Sequence, residues 1–136
     1  MILYLLDTNI VSYMLTGKSR AARAKLRSLR ENEVACISTV TEAELRYGLA
    51  KNPHSRTRTG MDVFLNRLRV LPFGRDEAVV YGELRAKLER GGKTLGNMDL
   101  LIAAQAISVD AVLVTNDRSF SQVDDLHATV NWATDL

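Results

Sequence analysis

Apolar and polar residues alternate along this chain with periods that change several times, and each change marks an element. Ile2 to Leu6 are apolar or aromatic without a break, and the run stops at Asp7. Such a run predicts a strand buried on both faces, as in the middle of a parallel sheet. Val34 to Ser38 and Ala111 to Thr115 repeat the pattern. Between these runs the period is helical. Thr8 to Leu15 predicts a short helix or turn stopped at Gly17, and Ala22, Leu26 and Leu29 predict a helix from Arg20 to Arg30. Thr39 to Gly48 is a helix entered across a short junction, with Gly48 read as a close-packing position. Met61, Phe64, Leu65, Leu68 and Leu71 share one helical face, as do Val80, Leu84 and Leu88 within Arg75 to Glu89. Leu100, Ala103, Ala104 and Ile107 mark a last helix, opened by Asn97 as its cap. Val70 to Phe73 predicts a short strand at an edge, because Pro72 has no N–H for a ladder. Thr129 to Trp132 predicts another, with Trp132 as a packing anchor. Lys51 to Thr59 is polar, contains Pro53 and reads as a loop.

Strand alternating with helix predicts an α/β fold, a parallel sheet with helices on both faces. No repeat, low-complexity tract or linker interrupts residues 1–136, so one domain is expected. That length supports a substantial core.

Composition narrows the function only a little. Eighteen Lys and Arg against 16 Asp and Glu give a net charge of +2, which permits a nucleic-acid partner without arguing for one. Arg20, Arg23, Arg27 and Arg30 fall three or four apart on one helix face, either a phosphate-binding stripe or a solvated surface. The single cysteine, Cys36, excludes an internal disulfide and a Cys metal cluster, and its apolar setting reads as a buried, inert thiol. The N-terminus has no basic segment ahead of its apolar run, and no apolar run approaches the roughly 20 residues of a membrane span. A cytoplasmic protein is expected. His54 and His127 lie in polar stretches without a partner at metal spacing and read as surface residues.

The chemistry rests on four acids. Asp7 follows the first strand, where ligands bind in open α/β sheets. Asp117 follows the strand ending at Thr115, Glu44 lies early in a helix after a strand, and Asp99 lies in a helix's first turn. Each has a purely structural explanation. Thr41 and Glu44 fit a capping box, Asp99 suits the helix dipole, and Asp7 or Asp117 can cap a turn. Caps on separate helices need not converge, whereas the strand ends of one sheet do. Converging carboxylates repel, and a divalent cation resolves the repulsion. Oxygen ligands suit Mg2+ or Mn2+ rather than zinc. Metal-activated hydrolysis of a phosphodiester is one use of such a cluster. No Gly-x-Ser-x-Gly elbow, Cys/His pair or phosphate-binding Gly-rich loop is present.

Four segments together carry a resemblance: Leu5-Leu-Asp7-Thr-Asn9, Ile37-Ser-Thr-Val-Thr-Glu-Ala-Glu44-Leu-Arg-Tyr-Gly48, Gly96-Asn-Met-Asp99-Leu-Leu-Ile-Ala103 and Val114-Thr-Asn-Asp117-Arg-Ser-Phe120. In this order and spacing the chain resembles PIN-domain proteins, and within them the VapC toxins of bacterial type II toxin–antitoxin pairs. The resemblance implies a three-layer α/β/α sandwich around a parallel sheet of about four to five strands. It implies an Mg2+-dependent endoribonuclease, with RNA as substrate, a VapB-like antitoxin as partner, and a homodimer that forms a heterotetramer or larger assembly with the antitoxin. Operator DNA would be met only through the antitoxin. By the same resemblance Asp7 and Asp99 are the main metal ligands, Glu44 ligates directly or through water, and Asp117 holds a second ion or orients water. Thr8, Asn9 and Thr115 assist by hydrogen bonding. Haloacid-dehalogenase-like phosphatases also place an Asp after the first strand, but they need an acid two residues on, where this chain has Asn9. A binding subunit of the same fold would be favoured by loss of an acid, and all four are present.

Overall fold

Five strands form one parallel sheet, the apolar runs at its centre and two short strands at its edges: β1 (Ile2–Leu6), β2 (Glu33–Ser38), β3 (Arg69–Leu71), β4 (Val112–Val114) and β5 (Ala128–Val130). The computed structural model describes residues 1–52 and 58–136. The strand order is β3-β2-β1-β4-β5, with Leu5 opposite Cys36 on one side and Leu113 on the other. Helices α1 (Thr8–Thr16), α2 (Arg20–Arg27), α3 (Thr39–Lys51), α4 (Arg58–Leu65), α5 (Arg75–Arg90) and α6 (Asn97–Ser108) complete the three layers.

Successive strand residues point to opposite faces, so each central strand feeds two cores. Leu6, Ala35, Ile37 and Val114 pack with Ile10, Met14, Ala22, Leu45, Met61 and Leu65 from α1 to α4. Leu5, Cys36 and Leu113 pack on the other side with Leu84, Leu88, Leu100, Ala103 and Ala106 from α5 and α6. Six residues of α6 are buried, three of them alanines, which lets the helix lie close to the sheet. That burial is broader than the predicted stripe.

Several expected boundaries move for local reasons. The helix face read through Leu71 ends at Leu65, because residues 69–71 join the sheet as edge strand β3 and Pro72 follows it. The helix expected from Arg20 to Arg30 stops at Arg27, with Ser28 closing it and Leu29 half-buried; all four arginines are exposed. Gly96, not Asn97, occupies the cap position of α6. Gly48 is exposed, and a side chain there would meet nothing within 4 Å, so it does not serve close packing. Trp132 follows β5 rather than ending it, buried with its ring 5.1 Å from that of Tyr4. Most of the loop expected over residues 51–59, with His54, lies outside the described residues.

Gly17 closes α1 at φ +76°, a left-handed conformation that favours glycine. The first turn of α2 is held from the far end of the sequence: Asp135 accepts from Ser19 Oγ at 2.7 Å and from the backbone N–H groups of Arg20 and Ala21 at 3.1 and 3.3 Å.

Cys36 is buried, its thiol 3.3 Å from the Tyr4 carbonyl it donates to, and burial pushes the thiol up to about 11. Thiolates, not thiols, react. The folded protein is therefore expected to resist a thiol reagent at pH 8 and to label fully in denaturant; rapid labelling of the native protein would contradict this burial.

Candidate active site

The sheet runs outward in one direction from β1 through β2 to β3, then resumes on the other side of β1 with β4. Parallel sheets open a crevice at such a reversal, outside the carboxyl ends of the strands. Asp7 stands at the end of β1 in this crevice, its backbone N–H bonded to the Val114 carbonyl of β4 at 3.0 Å. Its side chain also caps α1, accepting from the Ile10 N–H at 2.9 Å. The capping role is thus real, and it holds the carboxylate at the site instead of replacing a role there. Asp7 is 4% exposed. Burial raises its carboxyl to about 6; the charges of Asp99 and Asp117 push the same way, against the Thr115 hydroxyl and the Ile10 N–H. Among the described residues, no Lys, Arg or His lies within 4.0 Å of it.

Thr115 links two acids. Its hydroxyl is directed to Asp7, and its oxygen accepts from the Asp117 N–H at 3.0 Å. Asp117 in turn caps the 3-10 helix Arg118–Gln122, accepting from the Ser119 N–H at 2.9 Å. Asp99 is the third residue of α6 and is half-buried. Its carboxyl is raised by burial first, then by Asp117 and Glu44.

Glu44 does not form the expected capping box. The helix begins at Thr39, and Ser38 caps it by accepting from the Val40 N–H at 3.0 Å. Glu44 therefore lies in the second turn, and its Oε1 accepts from the Thr8 hydroxyl at 2.6 Å. Thr8 Oγ1 also lies 3.3 Å from Thr41 Oγ1. A hydroxyl has one proton, so with that proton on Glu44 this contact takes the proton of Thr41. Thr41 is fully buried. Sequence reading took it for a cap; its spacing of three from Glu44 puts both on one helix face, and that was the signal for its place under Thr8. Asn9, expected to assist, is exposed and makes no side-chain hydrogen bond among the described residues.

The four acids are thus electrostatic neighbours, Glu44 felt by Asp99, and Asp99 and Asp117 by Asp7. They do not form a closed cage: among the described residues, no three His, Cys, Asp or Glu side chains group tightly enough to hold a metal unaided. His127 is remote in character, with a 60% exposed side chain 3.7 Å from Asp110. The donor set is carboxylate and hydroxyl oxygen, which suits a hard divalent cation. A buried carboxylate that feels two others, with no cationic side chain beside it among the described residues, is the arrangement a cation would stabilise.

The chain is similar to known proteins over nearly its whole length. The PIN domain family model matches residues 4–126. Ribonuclease VapC2 from Rickettsia felis is 38% identical over 132 residues, covering 96% of this chain and 98% of that protein. The tRNA(fMet)-specific endonuclease VapC of Shigella flexneri is 34% identical over 135 residues, covering 98% of this chain and all of that one. Among solved structures, VapBC2 from Rickettsia felis bound to a DNA fragment from its promoter contains a chain that superposes with a TM-score of 0.90 at 37% identity, covering 96% of this chain and 99% of that one.

Proposed function

The chain belongs to the PIN domain family, and from that membership and the four acids we propose that it is a metal-dependent endoribonuclease, the toxin of a type II toxin–antitoxin pair neutralised by a VapB-like antitoxin. The observation that carries the reading is Asp7: a buried carboxylate at the sheet's reversal that feels the charges of Asp99 and Asp117, with no cationic side chain beside it among the described residues. The similar proteins named as ribonuclease and endonuclease supply the reaction class. The solved complex of the Rickettsia felis pair with promoter DNA supports an antitoxin partner, with operator DNA met through that partner. A homodimer, joined by antitoxin into a heterotetramer or larger assembly, is part of the same proposal.

Mg2+ is the proposed cofactor, with Mn2+ able to substitute. Mg2+ is usually held by one or two carboxylates and keeps several waters, so a closed protein cage is not required. Asp7 and Asp99 would hold it; Glu44 would ligate directly or through water, and Asp117 would hold a second ion or orient water. When bound, the ion supplies Lewis acidity at the phosphoryl oxygen and makes water a better nucleophile. The chain's own groups do the positioning. Ile10 and Thr115 fix the Asp7 carboxylate, and Thr115 also fixes the Asp117 backbone. Thr8 occupies one oxygen of Glu44 and leaves the other to the site.

The test uses the protein freed from any partner and total bacterial RNA. Discrete fragments are expected with Mg2+, none with EDTA, and fragments again when Mn2+ is restored. Cleavage that survives EDTA would defeat the metal mechanism. A folded protein that cuts no RNA with either ion would defeat the ribonuclease reading.

A further inference from the structure

Beside Asp117 the surface falls into an open groove of about 430 Å3 between the carboxyl ends of β4 and β5, within the roughly 300–1,000 Å3 of ligand-sized pockets. Asp117 forms one wall with Arg118, and Ser121, Thr129 and Asn131 continue the lining. We propose that this groove binds the stretch of single-stranded RNA adjoining the scissile phosphate, with Arg118 on a backbone phosphate. The inference rests on the ribonuclease reading and adds where the strand runs and which residue engages it.

The argument is one of charge and of hydrogen-bond sense. A polyanion that approaches four carboxylates meets repulsion and needs compensating donors close by. Arg118 is the one cation among the residues lining the groove. It is exposed and forms no ion pair among the described residues, whereas Arg46, Arg85, Lys87 and Lys93 each have an acidic neighbour. The remaining lining is rich in donors. Asn131 spends its carbonyl oxygen on the Ala133 N–H at 2.8 Å, which leaves its NH2 group as the end that can serve a ligand. Ser121 and Thr129 add hydroxyls. Phosphate oxygens and the carbonyl and ring-nitrogen edges of bases are acceptors, and a guanidinium fork matches phosphate geometry. The groove is also continuous with the site, because Asp117 and Thr115 belong to both. A strand whose cut phosphate lies by the acids reaches Arg118 without leaving the protein surface.

The experiment measures binding separately from cleavage. In an Asp99→Asn background, anisotropy follows a fluorescein-labelled 20-nucleotide single-stranded RNA in Mg2+ across a salt series. Adding Arg118→Ala is expected to weaken binding about tenfold and to make the slope of log K against log[salt] shallower by about 0.7, the share of one phosphate contact on a single strand. Arg118→Lys should recover the slope. Ser121→Trp, which fills the groove with no change of charge, should weaken binding about tenfold with the slope unchanged. Binding within twofold of the parent for both Arg118→Ala and Ser121→Trp would overturn the proposal. So would variants that keep RNA binding but lose antitoxin binding, since the groove would then be the partner's. Cleavage of total RNA by the unmodified protein is scored in parallel; its failure strikes the ribonuclease reading, while the binding arms judge the groove.

Discussion

Asp99→Asn is expected to lower Mg2+-dependent RNA cleavage by about a thousandfold or more while leaving the protein folded. The substitution keeps the size and shape of the side chain and removes one negative oxygen from the third residue of α6. A cation held by Asp7 and Asp99 loses half of its proposed direct charge. A lost metal contact in a catalytic site costs several kcal/mol of transition-state stabilisation, and about 4 kcal/mol is a factor of a thousand. Stability moves far less. Losing an anion from a helix's first turn costs about 0.3–1 kcal/mol, and relief from Asp117 and Glu44, whose charges raise the Asp99 carboxyl, acts in the opposite direction. Cleavage per folded molecule is the measurement, with circular dichroism as the folding control. Activity within tenfold of the parent would remove Asp99 from the metal site.

Asp7→Asn is expected to abolish cleavage too, and yet to make the metal-free protein more stable at neutral pH. The folded-state carboxyl is raised to about 6 from an ordinary value of 3.8. The folded protein therefore holds this proton over a range where the unfolded chain has released it, so stability falls as pH rises from about 4 to about 6. Above that window the full cost of the buried charge applies, on the order of 3 kcal/mol at 1.36 kcal/mol per unit. Asparagine carries no charge and still accepts from the Ile10 N–H, being as good a cap as aspartate. In EDTA at pH 7.5 the variant should melt on the order of 10 °C above the parent. At pH 4 the two should nearly coincide. Added Mg2+ should then raise the parent's melting temperature and not the variant's. A variant less stable than its parent at pH 7.5 would show that Asp7 is needed as a charge by the fold itself.

The fold was legible because each buried strand announces itself as an unbroken apolar run ending in a polar residue, and because helical spacing between the runs forces crossovers. Strand order was not legible. Nothing local in Val112 to Val114 says that β4 lies beside β1 instead of continuing past β3, although that placement is what opens the crevice at Asp7. Where sequence offered two explanations for an acid, the outcome differed by residue. Asp7 and Asp117 are caps and line the site as well. The capping-box reading of Glu44 failed because it put the cap at Thr41, three residues past Ser38, which holds that position. Leu68 and Leu71 kept the helical period by coincidence, since apolar residues three apart also suit a turn leading into an edge strand. Arg118 was passed over, being read only as part of the segment that carries Asp117, and the groove it lines exists only once β5 is laid beside β4.

The tie between Asp135 and the start of α2 has a temporal side. Ser19 and its acceptor are 116 residues apart. At translation rates of roughly 5–20 residues per second, the carboxylate that completes the cap emerges some 6–23 s after the helix it serves. An eight-residue helix is marginal when isolated, and until then Ser19 alone offers α2 a side-chain cap. The arginine-bearing face of α2 is thus made early but fixed late, so a nascent chain stalled before Asp135 would carry that basic segment without its final restraint.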